Sequence, residues 1–215
     1  MNTPKNYSIS LNDDKAGLNI PDNISDSQKK LIDVEILKRN LMNCCSNTSC
    51  PIKDSMNWAR CVPNGTIEEN GIMLVDGFPD EFDSYAGCFT GFKGEILSLA
   101  EIPRNSMYFT TLVKCPMVGN LNQSTVDLCL NNYFYKEVQI VKPRLILFTS
   151  TAFLACIRGG ILPPDSQPKY FFEKVETKII NISFAFTAAM IFDFKDCIKE
   201  ENVESLKQGL HFLIQ

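Results

Sequence analysis

Apolar positions along the chain follow two different periods. Between residues 25 and 45 they recur every three or four positions, which predicts an amphipathic helix opened by Ser25 or Asp26. The predicted apolar face of this helix consists of Leu31, Ile32, Val34, Ile36, Leu37 and Leu41. Short, mostly apolar runs at 71–77, 107–115 and 143–150 instead predict strands that are buried on both faces.

Helical patterns lie between and after these strands. One helix is predicted from about Gly94, and the next, opened by Ser124 or Thr125, extends to residue 142. A further helix is predicted over 151–160, a strand pair within 170–186 and a terminal helix over 202–214. Strands that alternate with helices predict an α/β fold with a parallel sheet covered on both faces.

The loops after the strands are where such a fold places its chemistry. Ligands bind beyond the carboxyl ends of parallel strands, because the connecting loops meet there. In this sequence those loops begin at Asp76, Lys114 and Thr149.

Composition and charge narrow the class of protein. The 215 residues are 45% hydrophobic and 21% charged, as is usual for a globular domain. Residues 1–24 are polar and aperiodic, which predicts a flexible tail before a single domain at 25–215. The net charge of −4 argues against a protein whose whole surface grips nucleic acid.

The N-terminus bears on the cellular location of the protein, and that location bears on the redox state of its cysteines. No apolar run reaches the roughly 20 residues that cross a bilayer, and the N-terminus lacks the apolar core of a signal peptide. We therefore expect an intracellular protein, cytoplasmic or nuclear, with no membrane partner. Nine cysteines in that setting favour metal binding over disulfides.

Several motifs occur in a characteristic order over residues 42–195. They are "SCPI", "CVPNG", "IMLVDGFPDEFD", "AGCFTGFKGEIL", "TLVKCP", Cys129, "KPRLILFTSTA" and "SFAFTAAM". In this order the chain resembles the iron–sulfur uracil-DNA glycosylases of the family 4 and 5 type. Those enzymes carry two cysteines before a proline, then "V-G-E-A-P-G", "G-x-P-F-x-G-x-x-G-x-x-L", "N-x-x-K-C", a cysteine on the next helix, and "H-P".

The resemblance implies both a fold and a cofactor. The fold would be a three-layer α/β/α domain around a central, mainly parallel four-stranded sheet. Cys50, Cys115 and Cys129 match three of the four thiolates that hold a 4Fe–4S iron–sulfur cluster in that family. The fourth would be Cys45 or Cys44, displaced by two or three residues from the expected position, which is Asn47. Zinc is the lesser alternative, because the site lacks histidine and a close cysteine pair.

The resemblance fails at the positions that carry catalysis. The acidic residue of the family falls on Gly77, the asparagine that reads the base on Thr111, and the histidine that stabilises the leaving base on Ala185. Phe89 retains the aromatic residue that stacks on the flipped base, so it either lines a base pocket or packs under the loop.

Acidic residues of the first loop are the available substitutes for the lost acid. Asp80 and Asp83 are the candidates for a rebuilt catalytic site, although carboxylates on loops are usually just solvated. Losing one preorganised group commonly costs on the order of 10² to 10³ in rate, and here three are missing. We therefore expect a glycosylase fold without glycosylase chemistry.

Two functions follow from this expectation. The first is a pseudoenzyme that acts as a nucleic-acid-associated binding or accessory subunit of a replication, transcription or repair assembly, with a protein partner and DNA as its expected contacts. The second is an active, divergent DNA glycosylase that removes uracil or a modified base with a rebuilt site. An iron–sulfur redox sensor is a weaker third hypothesis.

Overall fold

The computed structural model describes most of the predicted domain and little of the predicted tail. Its described residues are 23–44, 50, 61–68, 71–79, 83, 87–116, 122–165, 172–179, 182–191, 203, 204, 207, 208, 210 and 211. The tail predicted at 1–24 lies outside this set except for its last two residues. No helix among the described residues is long and apolar enough to cross a membrane.

The chain forms a mixed α/β structure around one sheet. The sheet contains six strands in the order β1-β3-β2-β4-β6-β5. The strands are β1 Asn64–Gly65, β2 Ile72–Asp76, β3 Tyr108–Thr111, β4 Leu145–Thr149, β5 Phe172–Ile179 and β6 Ile182–Ile191. The four central strands, β3, β2, β4 and β6, are parallel to one another. The two outermost strands are antiparallel to the strands beside them, β1 to β3 and β5 to β6. The sheet is therefore mainly parallel, as predicted, but it has two more strands than expected.

Helices connect the parallel strands. They are α1 Asp26–Met42, α2 Phe92–Leu99, α3 Gln123–Cys129, α4 Tyr135–Val141 and α5 Ser150–Arg158. A π-helical turn, Leu130–Phe134, joins α3 to α4. Described residues between 203 and 211 are helical, in agreement with the predicted terminal helix.

The central strands bury both of their faces. On β2, Met73 and Val75 belong to one hydrophobic cluster, and Ile72 and Leu74 belong to a second. Successive strand residues point to opposite faces, so the two clusters lie on opposite sides of the sheet. This explains why β2 and β4 are continuous apolar runs in the sequence rather than alternating ones.

Capping residues fix where α1 and α3 begin. Ser25 caps α1 in a capping box with Gln28, which confirms one of the two predicted caps. Leu31 was predicted on the buried face but is 56% exposed, because the buried stripe of α1 runs through Val34 and Leu41 instead. The predicted cap of the later helix, Ser124 or Thr125, is wrong. Asn122 caps α3 by accepting a hydrogen bond from the Ser124 amide at 2.9 Å.

Two strands differ in length from the prediction. β3 ends at Thr111, although the apolar run continues to residue 115. The chain bends there, and the Leu112 amide donates to the Asp76 carbonyl at 2.8 Å. β6 instead extends to Ile191, five residues beyond the predicted end of the strand pair.

Candidate functional site

The carboxyl ends of three neighbouring strands bring the predicted loops together. Asp76 of β2 is level with Thr111 of β3, and Val75 is level with Phe148 of β4. Asp76, Thr111 and Thr149 therefore end their strands at one edge of the sheet, and Gly77 follows directly. Asp76 and Thr149 end their strands as predicted, but α5 begins directly after Thr149, and the chain leaves β3 after Thr111 and not at the predicted Lys114.

Asp76 is buried at this end of the sheet, and both of its carboxylate oxygens have partners. Its Oδ1 atom accepts hydrogen bonds from the Thr149 hydroxyl at 2.6 Å and from the Gly77 amide at 2.7 Å. Its Oδ2 atom lies 2.6 Å from the Lys93 ammonium nitrogen. Asp76 and Lys93 thus form a largely buried ion pair, in which hydrogen bonds offset part of the cost of burial.

Lys93, in the first turn of α2, reaches back over the loop after β2. Its Nζ atom donates to the Phe78 carbonyl at 2.7 Å and lies 3.9 Å from Asp83 Oδ2. It also lies 5.8 Å from the ring centre of Phe89 and 5.9 Å from that of Phe78, within range of cation–π attraction. An ammonium group thus sits beside the aromatic ring that the sequence assigned to base stacking.

The acidic loop is not simply solvated at Asp83. This residue is 3% exposed, and its Oδ1 atom accepts a hydrogen bond from the Thr90 amide at 2.8 Å. Its carboxylate holds the segment that leads into α2 and adds negative charge near Lys93. The interpretation of Asp83 as a solvated loop carboxylate is therefore wrong, and Asp80 lies outside the described residues.

Phe89 combines a buried ring with an uncommon backbone conformation. It is 1% exposed, its φ is +60°, and its ring centre lies 5.5 Å from that of Phe109. The Arg104 guanidinium donates to its carbonyl at 2.7 Å. Gly94 is required beside this contact, because a Cβ there would overlap the Phe89 carbonyl and the Arg104 guanidinium. Left-handed backbone at an aromatic residue costs energy and is often found at functional sites.

Thr111, which the resemblance aligned with a base-reading asparagine, ends β3. It is fully buried, and its hydroxyl has no hydrogen-bond partner among the described residues. Such a group commonly marks a place where water or a ligand is bound.

A second buried ion pair, between Lys114 and Glu137, lies next to Thr111. The Lys114 ammonium donates to Glu137 Oε1 at 2.7 Å, to the Thr110 hydroxyl at 2.5 Å and to the Thr111 carbonyl at 2.6 Å. The Thr110 hydroxyl in turn donates to Glu137 Oε2 at 2.7 Å. Burial raises the pKa of Glu137, and the charge and hydrogen bond of Lys114 oppose that rise.

Two of the cysteines considered for a metal site, Cys44 and Cys115, interact electrostatically with a third, Cys129. Cys44 follows α1, Cys115 follows the bend after β3, and Cys129 ends α3. Burial raises the pKa of the Cys129 thiol to about 12, a hydrogen bond from the Lys114 backbone lowers it, and Cys115 and Cys44 raise it further. Burial also raises the pKa of Tyr133, which hydrogen-bonds to Cys44.

The other two predicted ligands are less defined. Cys50 is buried, at 7% exposed, and Cys45 lies outside the described residues. Between the two residues considered for the fourth ligand, the structure therefore describes Cys44, which interacts with Cys129. In the described part of the chain, no group of three or more His, Cys, Asp or Glu side chains has an arrangement that could hold a metal ion.

Cys61 and Cys88 form a disulfide, contrary to the expectation that the cysteines favour metal over disulfides. Their Cα atoms are 5.4 Å apart, and both residues are fully buried. The two cysteines are 27 positions apart in the sequence. Cys61 lies just before β1, and Cys88 lies directly before Phe89.

Ala185 lies far from the other predicted pocket residues. In β6, Thr187 is level with Leu145 at the amino end of β4, and Ile191 is level with Thr149. At about 3.3 Å per residue, Ala185 lies roughly 20 Å along the strand from the level of Thr149. The assignment of Ala185 came from the resemblance, in which it takes the place of a loop histidine, whereas β6 runs through this position and continues to Ile191.

Sequence reasoning did not identify Lys93 and Glu137 as site-forming residues. Glu137 had a detectable signal, since it falls in the apolar stripe of its helix with Phe134 and Val141. Lys93 had none, because its burial depends on Asp76 and Phe78, which lie in a different element. A scan of the sequence against models of known protein families found no match.

Proposed function

We propose that this protein is a catalytically degenerate relative of the iron–sulfur uracil-DNA glycosylases, with the three-layer α/β/α fold of that family. In this proposal it acts as a nucleic-acid-associated binding or accessory subunit of a replication, transcription or repair assembly. The support comes from the motif order in the sequence and from a mainly parallel sheet with Gly77 and Thr111 adjacent at its carboxyl edge.

The observation that carries the proposal is the ion pair between Asp76 and Lys93. Excising a base requires a carboxylate or an activated water near the sugar and a donor for the leaving base. The carboxylate at the edge, Asp76, is bound by Lys93, Thr149 and Gly77. Asp83 is bound by the Thr90 amide. Neither described carboxylate is left to activate a water molecule.

A base-binding role is compatible with the same geometry. Phe89 supplies an aromatic ring before α2, and the buried Thr111 hydroxyl at the end of β3 has no hydrogen-bond partner within the described part of the chain. Stacking on an aromatic ring contributes about 1–3 kcal/mol per base. In this proposal a base is bound without cleavage, and binding displaces Lys93 and uncovers the Phe89 ring, which is 1% exposed in the structure.

We also propose a 4Fe–4S cluster held by Cys50, Cys115, Cys129 and either Cys44 or Cys45. The donor chemistry fits, since thiolates are the usual ligands of such clusters and Cys44 and Cys115 both interact with Cys129. When bound, the cluster would tie the end of α1 to the ends of β3 and α3. It supplies a structural crosslink in this proposal and no catalytic step.

The cluster is tested by anaerobic purification, followed by a visible spectrum and iron and zinc analysis. The proposal predicts iron, with broad absorbance that a Cys129→Ser variant loses. A Cys156→Ser variant is the matched control, because Cys156 is also fully buried but belongs to none of the proposed ligands. An iron-free wild-type protein would refute the cluster, and zinc in place of iron would identify the alternative metal.

The binding role is tested with fluorescent single- and double-stranded oligonucleotides and by size-exclusion chromatography with candidate replication, transcription and repair proteins. The proposal predicts a defined complex with one such protein, and weak DNA binding that a Phe89→Ala variant reduces further. A Phe153→Ala variant is the control, because Phe153 is fully buried and belongs to the other hydrophobic cluster. A protein that remains monomeric with every candidate and binds no oligonucleotide would contradict the role.

The alternative is an active glycosylase with a rebuilt site. One observation favours it, namely the left-handed backbone of Phe89, since such strain is often retained for catalysis. It predicts base release from at least one oligonucleotide in a panel of uracil and modified bases, and loss of that release in an Asp83→Asn or Asp80→Asn variant.

A further inference from the structure

The disulfide between Cys61 and Cys88 lies between the two candidate sites. On one side, the Cys61 amide donates to the Lys114 carbonyl at 2.9 Å, directly before Cys115 of the proposed cluster. On the other side, Cys88 is bonded to Phe89, the left-handed residue at the carboxyl edge. The bridge therefore joins the segment that carries Phe89 to the segment that precedes β1.

The bridge occurs in a chain that keeps other buried cysteines as thiols. Five of these lie within the described residues, namely Cys44, Cys50, Cys115, Cys129 and Cys156. A structural disulfide framework normally uses the cysteines of a domain together, whereas a single bridge among thiols is more typical of redox sensing. The mixture of redox states in one small domain is the first argument for a reversible bond.

The geometry around Cys88 also suits the reduced pair. The Cys88 Sγ atom lies 3.4 Å from the Val62 carbonyl oxygen, which would accept the thiol proton after reduction. The Cys88 amide donates to the same carbonyl at 3.1 Å. The Val62 carbonyl would therefore accept from both the amide and the thiol of Cys88 after reduction, so the new thiol would not be left unpaired.

We propose that Cys61 and Cys88 form a reversible thiol–disulfide switch that fixes or releases the segment 87–91, and with it Phe89. In the oxidised protein the covalent bond, one residue away, holds Phe89 in its left-handed conformation. In the reduced protein that conformation depends on non-covalent contacts, among them the packing of Phe89 on Phe109 and the hydrogen bonds of the Cys88 amide, of the Thr90 amide to Asp83 and of Arg104 to the Phe89 carbonyl. The switch does not depend on base binding or on an iron–sulfur cluster.

The reaction partner is a low-molecular-weight disulfide. One protein thiolate attacks a sulfur of that disulfide, which expels one small thiol and forms a mixed disulfide. The second protein thiolate then attacks the protein sulfur of the mixed disulfide, which expels the other small thiol. Two protein thiols are oxidised, one small disulfide is reduced to two thiols, and the two protons pass to those thiols. Since both cysteines are fully buried, the segment must open for the first attack, and exchange should be slow.

The test equilibrates the full-length protein in buffers with different ratios of reduced to oxidised glutathione. Samples are quenched by alkylation and mapped by mass spectrometry to measure the fraction of the 61–88 bridge. Hydrogen exchange of the Cys88 and Thr90 amides and the thermal midpoint are then compared between the two states. A Cys88→Ala variant removes the bridge, and a Cys156→Ala variant removes an equally buried thiol outside it.

The proposal predicts a reversible transition of the 61–88 pair within the glutathione range. Reduction should speed exchange of the Cys88 and Thr90 amides by roughly tenfold or more, while amides of β4 stay protected. It should lower the thermal midpoint by about 10 °C, from the entropy of opening a loop of this length. Cys156→Ala should keep both responses, and Cys88→Ala should lose them.

Three results would overturn the switch. They are a pair that stays oxidised in fully reduced glutathione, a pair that stays reduced in fully oxidised glutathione, and exchange rates at Cys88 and Thr90 that do not respond to the bond. The wild-type measurement needs no variant, so poor folding of Cys88→Ala would leave the test intact. None of these results bears on base release or iron content, so the switch and the proposed function can fail separately.

Discussion

Two buried lysines of this protein form ion pairs that differ in solvent exposure and in the number of close acceptors. Lys114 and Glu137 are completely inaccessible to solvent, and the three protons of the ammonium group have acceptors in Glu137, Thr110 and Thr111. Lys93 and Asp76 each keep 10% of their side-chain surface exposed. Lys93 has two close acceptors, and the next one, on Asp83, is 3.9 Å away.

The difference in exposure indicates different roles: the Lys114–Glu137 pair is structural, and the Lys93–Asp76 pair lies at the candidate site. A fully enclosed pair can be lost only together with the packing around it, so Lys114 and Glu137 fasten α4 to β3. A pair at the edge of the sheet can exchange a partner with a ligand, because water and solutes reach it. Lys93 therefore both neutralises Asp76 and occupies the face of Phe89 that a base would need.

The largest expected effect is the loss of one partner from the enclosed pair. A Glu137→Ala variant leaves the Lys114 charge buried, and such losses cost about 3–5 kcal/mol of the free energy of unfolding. Denaturant titration measures this loss. Glu35→Ala is the matched control, because Glu35 pairs with Lys38 at 2.8 Å on the surface and should cost under about 1 kcal/mol. Equal losses in the two variants would contradict the distinction.

A smaller loss is expected at the edge pair. Lys93→Ala leaves Asp76 with Thr149 and Gly77 as donors and with access to water, so we expect a loss of about 1.5–3 kcal/mol in the free energy of unfolding. Lys93→Met keeps the aliphatic contact with Phe78 and Phe89 and isolates the contribution of charge. A loss as large as that of Glu137→Ala would mean that the Lys93–Asp76 pair is as enclosed as the Lys114–Glu137 pair.

Thr149 should have a still smaller effect. Its hydroxyl donates to Asp76, and the same oxygen caps α5 by accepting from the Ala152 amide at 3.4 Å. Thr149→Val removes both interactions and should cost about 1–2 kcal/mol of the free energy of unfolding. Thr149→Ser keeps the hydroxyl and should recover most of the loss. A Val variant as stable as the wild type would contradict the contribution assigned to the hydroxyl, because Val keeps the methyl group of Thr and lacks only the hydroxyl.

The pH dependence of stability distinguishes the enclosed pair in a further way. Burial raises the pKa of Glu137, so the unfolded chain releases this proton at lower pH than the folded protein does. The contribution of Glu137 to stability is therefore fully present below its unfolded pKa and is lost as the pH rises through its folded pKa. The wild type should lose stability over that interval relative to a Lys114→Met/Glu137→Gln double variant. A gap between the two that is constant with pH would contradict the raised pKa.

The sequence predicted the elements whose signals are local. β2 and β4 were predicted because both faces of each strand are buried, which leaves a continuous apolar run. Ser25 was predicted as a cap because it directly precedes a periodic segment. β1 was missed because two residues that pair only through their partner strand have no pattern of their own.

The site was harder to predict because its contacts are not local. Gly77 and Thr111, which the resemblance assigned to one pocket, lie at neighbouring strand ends, but the strand pattern placed the end of β3 at residue 115 and not at Thr111. The partner of Asp76 could not be predicted, because Lys93 reaches it from another element. The bridge between Cys61 and Cys88 could not be predicted either, since cysteine spacing does not determine connectivity.

The central proposal is that the described carboxylates at the carboxyl edge of the sheet, Asp76 and Asp83, are bound by internal partners and that the protein performs no base excision. Its most direct test is a single-turnover assay with excess protein on single- and double-stranded oligonucleotides that contain one uracil, with an active uracil-DNA glycosylase as positive control. The account predicts that the wild type and Lys93→Ala both release no uracil above the protein-free control. Uracil release by the wild type that an Asp83→Asn variant abolishes would contradict the account.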